Sequence, residues 1–160
     1  MVFEIYEDED LEPDQVILRN KYKEAELNGN LFNIAPFWAT KIDEIEDYSF
    51  SGFSDNRSYC EVVVSDLYYI SDFIGLSLPM FDKNWPSESR YISTLERWSM
   101  KLPVDPPSIS QILNDKVHLV DGRHRMILAY VLKAETMIVS VPNKLIPALS
   151  EMISVKVLQK

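Results

Sequence analysis

The sequence predicts an α+β domain, and three observations support that prediction. The 160 residues are 46% hydrophobic, which is enough apolar side chain for the core of one domain. Short β-branched runs bounded by turn residues predict strands. Residues 87–100 instead carry an apolar stripe at helical spacing. We therefore expect strands and helices to share one folding unit.

The first 58 residues predict an N-terminal extension that packs on a core spanning residues 59–160. "VFEIY" alternates as a strand does, and "EDEDLEPD" reads as an acidic turn. Residues 14–30 fit either a strand followed by a turn or a short helix that ends near Asn28-Gly29. "LFNIAPFWATKI" is interrupted by Pro36, which favours an edge strand or a packed loop over a helix. Residues 47–59 predict a surface loop.

The next two elements are clearer. "YCEVVVSDLYYI" is β-branched and aromatic, so residues 59–70 predict a buried strand. Residues 87–100 predict a helix with Ser87 as its N-cap and Glu88 in its first turn. The buried stripe of that helix comprises Tyr91, Ile92, Leu95 and Trp98.

The C-terminal part predicts a hairpin, two helices and two strands. Alternating runs flank Asn114-Asp115, a turn signal, so we expect Ile109 and Ile112 on one arm and Val117 and Leu119 on the other to face the core. Residues 123–133 predict a helix, "MIVSV" a strand and "SVKVL" a final short strand. "NKLIPALSEMI" predicts a helix in which Pro147 lies in the first turn or bends it. The apolar face of the first helix comprises Ile127, Tyr130, Val131 and Ala134.

The net charge of −9 limits the choice of partners. Binding of a polyanion needs a positive surface field, so we expect contact with DNA to be weak or absent. An acidic chain is suited to covering a basic protein. Acidic side chains cluster between residues 7 and 14 and between residues 43 and 47. They are either simply solvated or the face that meets such a partner.

We expect a cytoplasmic protein without a membrane contact. Its N-terminus is acidic where a signal peptide is basic, and no apolar run approaches the roughly 20 residues that span a bilayer. The single Cys60 permits neither an internal disulfide nor a cysteine metal cluster.

The stretch "LVDGRHRMILAY" places residues 122–125 at the start of a helix. Basic side chains are disfavoured at that end of the helix dipole, so Arg123, His124 and Arg125 suggest a bound anion there. A phosphate accepts backbone N–H bonds and arginine bonds together, and Gly122 lets it approach the backbone. Alternatively, Asp121 caps the helix and pairs with Arg123 or Arg125. The pattern leaves both interpretations open.

The segment from Pro103 to Pro142 resembles the core of the ParB/sulfiredoxin superfamily. Members share a hairpin that ends in a hydrophobic-Asp-Gly-x-x-Arg motif, then a helix with a small residue, then a strand. Asp121, Gly122 and Arg125 match the motif, and Ala129 matches the small residue. The resemblance implies a small mixed sheet with helices and a phosphate or nucleotide site at Gly122, Arg123, His124 and Arg125. It allows a nucleoside triphosphate with Mg²⁺ as ligand.

Two departures from the family's motifs reduce the set of functions that the resemblance implies. Arg123 stands where sulfiredoxins carry their nucleophilic cysteine, and the glutamate of ParB partition proteins is absent. Within the superfamily the chain resembles the plasmid fertility-inhibition factors. That resemblance implies nucleotide hydrolysis or nucleic-acid cleavage, with Asp121 and His124 as candidate catalytic residues. The alternative is a non-catalytic immunity protein of bacterial conflict that binds a basic toxin or nuclease.

Other candidate residues have two interpretations each. His118 and His124 lack the further ligands of a zinc site, so we expect no metal there. Asp115, His118 and His124 are candidates for acid–base chemistry, but a turn-forming Asp115 and a solvent-facing His118 are favoured. Trp85 either stacks on a base near the motif or packs in the core.

Overall fold

The computed structural model describes residues 13–40, 56–72 and 88–158. Within them it has helices and a five-stranded mixed sheet, which confirms the α+β class. The predictions for the "VFEIY" strand, most of the 47–59 loop, the Ser87 cap and Trp85 lie outside the described residues. So do the acidic clusters, apart from Asp14.

The sheet has the strand order β3-β2-β4-β1-β5. Its long central pair, β1 with β4, is antiparallel over seven residue pairs. By contrast, the parallel β2–β4 contact is a single pair, Ser108 with Ser140. The two halves of the sheet are therefore joined by a short ladder at one end. The strands are β1 (Arg57–Val63), β2 (Ser108–Leu113), β3 (Lys116–Asp121), β4 (Thr136–Pro142) and β5 (Val155–Val157).

The predicted hairpin is present as β2 and β3. Leu113 pairs with Lys116, and both turn residues, Asn114 and Asp115, have positive φ. A two-residue type I′ turn requires that geometry, which asparagine and aspartate tolerate. The predicted core residues of the arms are buried, except that Ile112 is half-buried: Ile109, Val117 and Leu119 are at most 4% exposed.

The helices are α1 (Pro13–Leu27), α2 (Val64–Tyr69), α3 (Glu88–Ser99), α4 (Arg123–Val131) and α5 (Ile146–Met152). The stripe predicted for α3 is buried, and Pro147 lies in the first turn of α5. Helix α4 ends two residues earlier than predicted because Lys133 adopts positive φ. The N–H groups of Lys133 and Ala134 bond back to Tyr130 and Ala129, the pattern of a Schellman C-cap.

One strand prediction is wrong in its second half. Strand β1 ends at Val63, and residues 64–69 form α2 instead of continuing the strand. Val64, Leu67 and Tyr68 are buried at helical spacing, and Asp66 lies in the first turn, where a carboxylate is favourable. The β-branched run hid this change of period because Val62 and Val63 join it without a break.

The described part of the N-terminal extension packs on α3. Of the two predictions for residues 14–30, the structure confirms the helix, α1, which ends just before Asn28-Gly29. The Tyr22 hydroxyl donates to a Glu96 carboxylate oxygen. After a 3-10 turn (Asn30–Asn33), Trp38 bridges to Val104 and contacts Trp98. The boundary that we expected at residue 58 falls inside β1.

Stability should fall in alkaline solution. Burial, with the Glu96 contact adding to it, raises the pKa of Tyr22 to about 12, and burial raises that of the Cys60 thiol to about 11. Groups whose folded pKa is raised stabilise the fold below their unfolded pKa and lose that contribution above it. We expect the Tm to drop from about pH 9 upward, towards pH 12. Tyr22→Phe should flatten this drop in a circular-dichroism melt series. An unchanged slope would contradict the assignment.

Candidate functional site

The motif lies where β3 passes into α4. Gly122 is the N-cap residue, in the left-handed conformation with φ 88° and ψ 18°. It makes no side-chain cap hydrogen bond, and its carbonyl accepts the first helical bond, from Met126 N–H. The first turn of α4 contains no acidic residue. The first N–H groups of a helix lack intrahelical acceptors and lie at the positive end of its dipole, so this end of α4 favours an anion.

Gly122 also allows a close backbone contact. A Cβ atom built on it would lie 2.6 Å from Pro107 Cα and 2.9 Å from Arg125 Nη2. The glycine is thus required by the packing of the chain itself, on the side that faces Pro107. The sequence interpretation explained this glycine by the approach of a ligand alone. The structure adds a second reason, which is the close packing against Pro107.

Asp121 and Arg125 form an ion pair. Arg125 Nη2 donates to Asp121 Oδ2 at 3.0 Å, and the side chains are 22% and 37% exposed for Arg125 and Asp121. Asp121 therefore pairs with an arginine, as the second interpretation of the sequence predicts. It does not cap the helix, because the N-cap residue is Gly122. Arg125 Nε is buried and has no hydrogen-bond partner within the described part of the chain. Asp121 therefore satisfies Nη2 of the guanidinium but not Nε.

A second ion cluster lies beside the first turn of α4. His118 Nδ1 lies 3.0 Å from Asp72 Oδ2, and Arg123 Nη2 lies 3.7 Å from the same oxygen. His118 and Asp72 are 29% and 22% exposed, whereas Arg123 is 55% exposed. The expectation of a solvent-facing His118 holds only in part: the side chain is partly exposed but also pairs with Asp72, because residues 70–72 lie along the edge of β3. Asp72 N–H donates to the Val117 carbonyl there.

His124 points to a neighbouring helix. Its ring lies edge-on to Tyr91 of α3, with centroids 5.1 Å apart. His124 is half-buried, as are Gly122 and Arg125, while Arg123 is exposed. The structure thus brings Asp121 and Arg125 together and directs His124 and Arg123 to different neighbours. The first turn of α4 remains in contact with solvent through Arg123.

A row of polar side chains crosses the sheet towards the motif. Ser140 is paired with Tyr59 on one side and with Ser108 on the other, and Ser108 is opposite Asp121. Ser108 is 2% exposed, and its Oγ has no hydrogen-bond partner among the described residues. Buried polar atoms without partners are uncommon and often mark a place that a ligand or water completes.

Arg57 is a residue that the sequence interpretation missed. Its Nη2 donates to the carbonyls of Ile109 at 2.6 Å and Ser140 at 3.1 Å, and its Nε donates to Ser140 Oγ at 2.9 Å. It thereby cross-links β2 and β4 beside their single ladder pair. Burial lowers the pKa of Arg57. No local sequence signal identifies this role, because the carbonyls that Arg57 contacts lie 52 and 83 residues away.

Other candidate chemistry is limited in the described regions. Burial raises the pKa of Cys60 to about 11, so its thiol stays protonated and is a poor nucleophile. No three His, Cys, Asp or Glu side chains of these regions cluster as metal ligands would. The described helices are all too short or too polar to cross a bilayer. Two cavities, of about 510 and 520 Å³, lie away from the motif, beside α5 and beside Trp98.

Comparison with family models, curated proteins and solved structures finds no match to this chain. The resemblance to the ParB/sulfiredoxin superfamily therefore stays a prediction from the motif. Between residues 108 and 142 the structure has a hairpin, a helix and a strand in that order.

Proposed function

We propose that this protein binds a phosphorylated ligand, a nucleotide in the first place, at the N-terminus of α4. The observation that carries the proposal is the first turn of α4, which has no side-chain cap or acidic residue and carries Arg123, His124 and Arg125. Such a turn offers several donors and positive charge to one anion. The motif resemblance extends the proposal to a bacterial protein of the plasmid fertility-inhibition type, which hydrolyses nucleotide or cleaves nucleic acid.

Two details of the geometry support an anion in this position. Arg125 is held by Asp121 through one nitrogen only, and its buried Nε is without a partner in the described regions. Arg123 is exposed, and its ion pair within the described residues is a long contact to Asp72. Exposed ion pairs contribute about 0–1 kcal/mol, so Arg123 turns towards a phosphate at small cost.

Substitutions at the ion pair should change binding in opposite directions. Arg125→Ala should weaken the binding of pyrophosphate or a nucleoside triphosphate by about 1.5–3 kcal/mol, the range for a charged hydrogen bond. Arg125→Lys should substitute poorly because lysine lacks the planar fork. Asp121→Asn should tighten binding, because it removes a negative charge that competes for Arg125. Isothermal titration calorimetry measures all three.

Lys156→Ala is the control, since it removes one positive charge from β5, away from the motif, and should leave the affinity unchanged. Thermal melts identify any variant that is merely unfolded. Equal affinities in wild type, Arg125→Ala and Asp121→Asn would refute the role given to Arg125. Absence of binding by the wild type would refute the proposed function.

The net charge of −9 supports a second candidate function. In it, the protein is a non-catalytic immunity protein or inhibitor that covers a basic toxin, nuclease or transfer protein. Association would then depend on long-range attraction and weaken with added salt. Co-purification from cells separates the two functions: a basic protein retained equally by wild type and Arg125→Ala supports the second, and a retained nucleotide supports the first.

A further inference from the structure

We propose that His118, oriented by Asp72, is the general base of a hydrolytic reaction on the phosphorylated ligand. This inference rests on the proposed function, since it assigns a reaction to the anion held at α4. It concerns residues outside the matched motif. Asp72 precedes His118 by 46 positions, and only the folded chain brings them together.

The Asp72 contact indicates which imidazole nitrogen acts. His118 Nδ1 lies 3.0 Å from Asp72 Oδ2, so a proton on Nδ1 faces the carboxylate and Nε2 of the neutral ring is the nitrogen with the lone pair that accepts a proton. A carboxylate on Nδ1 also stabilises the imidazolium that forms during the reaction, as in other carboxylate–histidine pairs. Backbone bonds on either side hold the pair in place: Val117 N–H donates to Ile70, and Asp72 N–H donates to Val117.

Asp72 links this base to the anion site. Its Oδ2 atom lies 3.0 Å from His118 Nδ1 and 3.7 Å from Arg123 Nη2, so the imidazole and the guanidinium share one oxygen as a neighbour. Arg123 is the first residue of α4, whose N-terminal turn is the proposed phosphate site. An arginine that holds the phosphoryl oxygens there is therefore adjacent to a base that activates water. Both His118 and Asp72 are partly exposed, so water reaches them.

The reaction balances without an oxidant or a second substrate. Water forms a bond from its oxygen to the terminal phosphorus of a nucleoside triphosphate and gives one proton to His118 Nε2. The bond from phosphorus to the bridging oxygen breaks, and its electron pair leaves on the nucleoside diphosphate. The imidazolium then releases the proton to solvent. Arg123 and Arg125 neutralise charge on the phosphoryl oxygens, and Asp72 is a positioning residue.

Phosphorus NMR on the full chain with ATP, GTP or CTP and Mg²⁺ tests the inference, together with calorimetry for binding. His118→Asn keeps a donor near Asp72 but removes the base, so we expect kcat to fall about 100-fold or more with affinity unchanged. Asp72→Asn should lower kcat about tenfold or more and leave KM nearly unchanged. Asp72→Glu should restore part of the rate. Gln111→Ala, an exposed change opposite His118, is the control.

The separation of kcat from nucleotide affinity gives a readout that a structural role would not produce. A general base acts on the chemical step, so its loss should lower kcat and leave the affinity that calorimetry measures unchanged. Hydrolysis at the wild-type rate by His118→Asn, or nucleotide binding without hydrolysis by the wild type, overturns the inference and leaves the binding function standing. A wild type that binds no phosphate overturns both.

Discussion

Gly122→Ala should lower the free energy of unfolding by about 2–5 kcal/mol, which combines the left-handed backbone cost and a steric overlap. The new Cβ would lie 2.6 Å from Pro107 Cα and 2.7 Å from Pro107 Cβ, and φ at this position is 88°. Backbone atoms on both sides must move apart to relieve that overlap, because Pro107 cannot rotate away. The start of α4 would shift, so we also expect loss of phosphate binding. Chemical denaturation measures the first effect and calorimetry the second.

Gly29→Ala is a matched control for this substitution. Gly29 has φ 76°, but a Cβ there would have no atom within 4 Å. It should therefore show the left-handed backbone cost alone, about 1–2 kcal/mol. The difference between the two variants isolates the Pro107 contact. Equal losses in both would mean that Pro107 does not constrain the entrance to α4.

Trp98→Ala should lower the free energy of unfolding by about 3–5 kcal/mol, as expected for a large buried ring. Trp98 is 2% exposed and contacts the Trp38 ring edge-on, at a centroid distance of 5.2 Å. Its Nε1 donates to the Phe37 carbonyl at 2.9 Å. The substitution therefore removes core volume and also a link between α3 and residues 37–38. Urea denaturation followed by circular dichroism measures the loss.

Trp98→Phe separates the two contributions. It keeps an aromatic ring but leaves the Phe37 carbonyl without its donor, which should cost about 1–3 kcal/mol. Leu27→Ala serves as the control, because Leu27 is 80% exposed and its loss should change stability by no more than about 0.5 kcal/mol. If Trp98→Ala proved as mild as Leu27→Ala, the docking of the N-terminal segment on α3 would not contribute to stability.

These two expectations bear on the candidate site in different ways. Gly122 sets the backbone at the anion site, so its substitution should affect binding directly. Trp98 lies on α3, which contacts α4 through Tyr91 and His124. Loss of Trp98 should therefore reduce stability before it reduces binding. Measuring the free energy of unfolding and the phosphate affinity in both variants distinguishes a local role in the site from a general role in the fold.

The sequence by itself determined the elements whose signals are local. Asn114 and Asp115 tolerate positive φ, so the hairpin turn was predictable from two residues. The stripe of α3 was readable because helical spacing brings its apolar residues onto one face. The motif was placed correctly at the start of α4 for the same reason, since a strand, a glycine and a helical pattern follow one another directly.

Local signals failed in two situations. In one, the same apolar residues fitted both strand and helix spacing; in the other, a residue adopted a backbone conformation that is unusual for its type. Helix α2 was hidden in a β-branched run, because the helical spacing of Val64, Leu67 and Tyr68 also fits a continuous apolar stretch. The end of α4 was placed two residues too late because a lysine, Lys133, takes the left-handed position that glycine usually occupies. Residues 14–30 fitted both a strand and a helix, and packing of Tyr22 against α3 accompanies the helix.

Only the tertiary structure decided which charges meet. Asp121 had two arginines within reach by sequence, and the fold pairs it with Arg125 while Arg123 turns to Asp72. Asp72 joins His118 because the segment after α2 runs along the edge of β3. Arg57 likewise reaches carbonyls of β2 and β4 that are distant in the chain. The physical reason is the same in each case, because a half-buried charge is costly unless it has a partner. The available partners depend on which strands and helices become neighbours. No local sequence pattern specifies those neighbours.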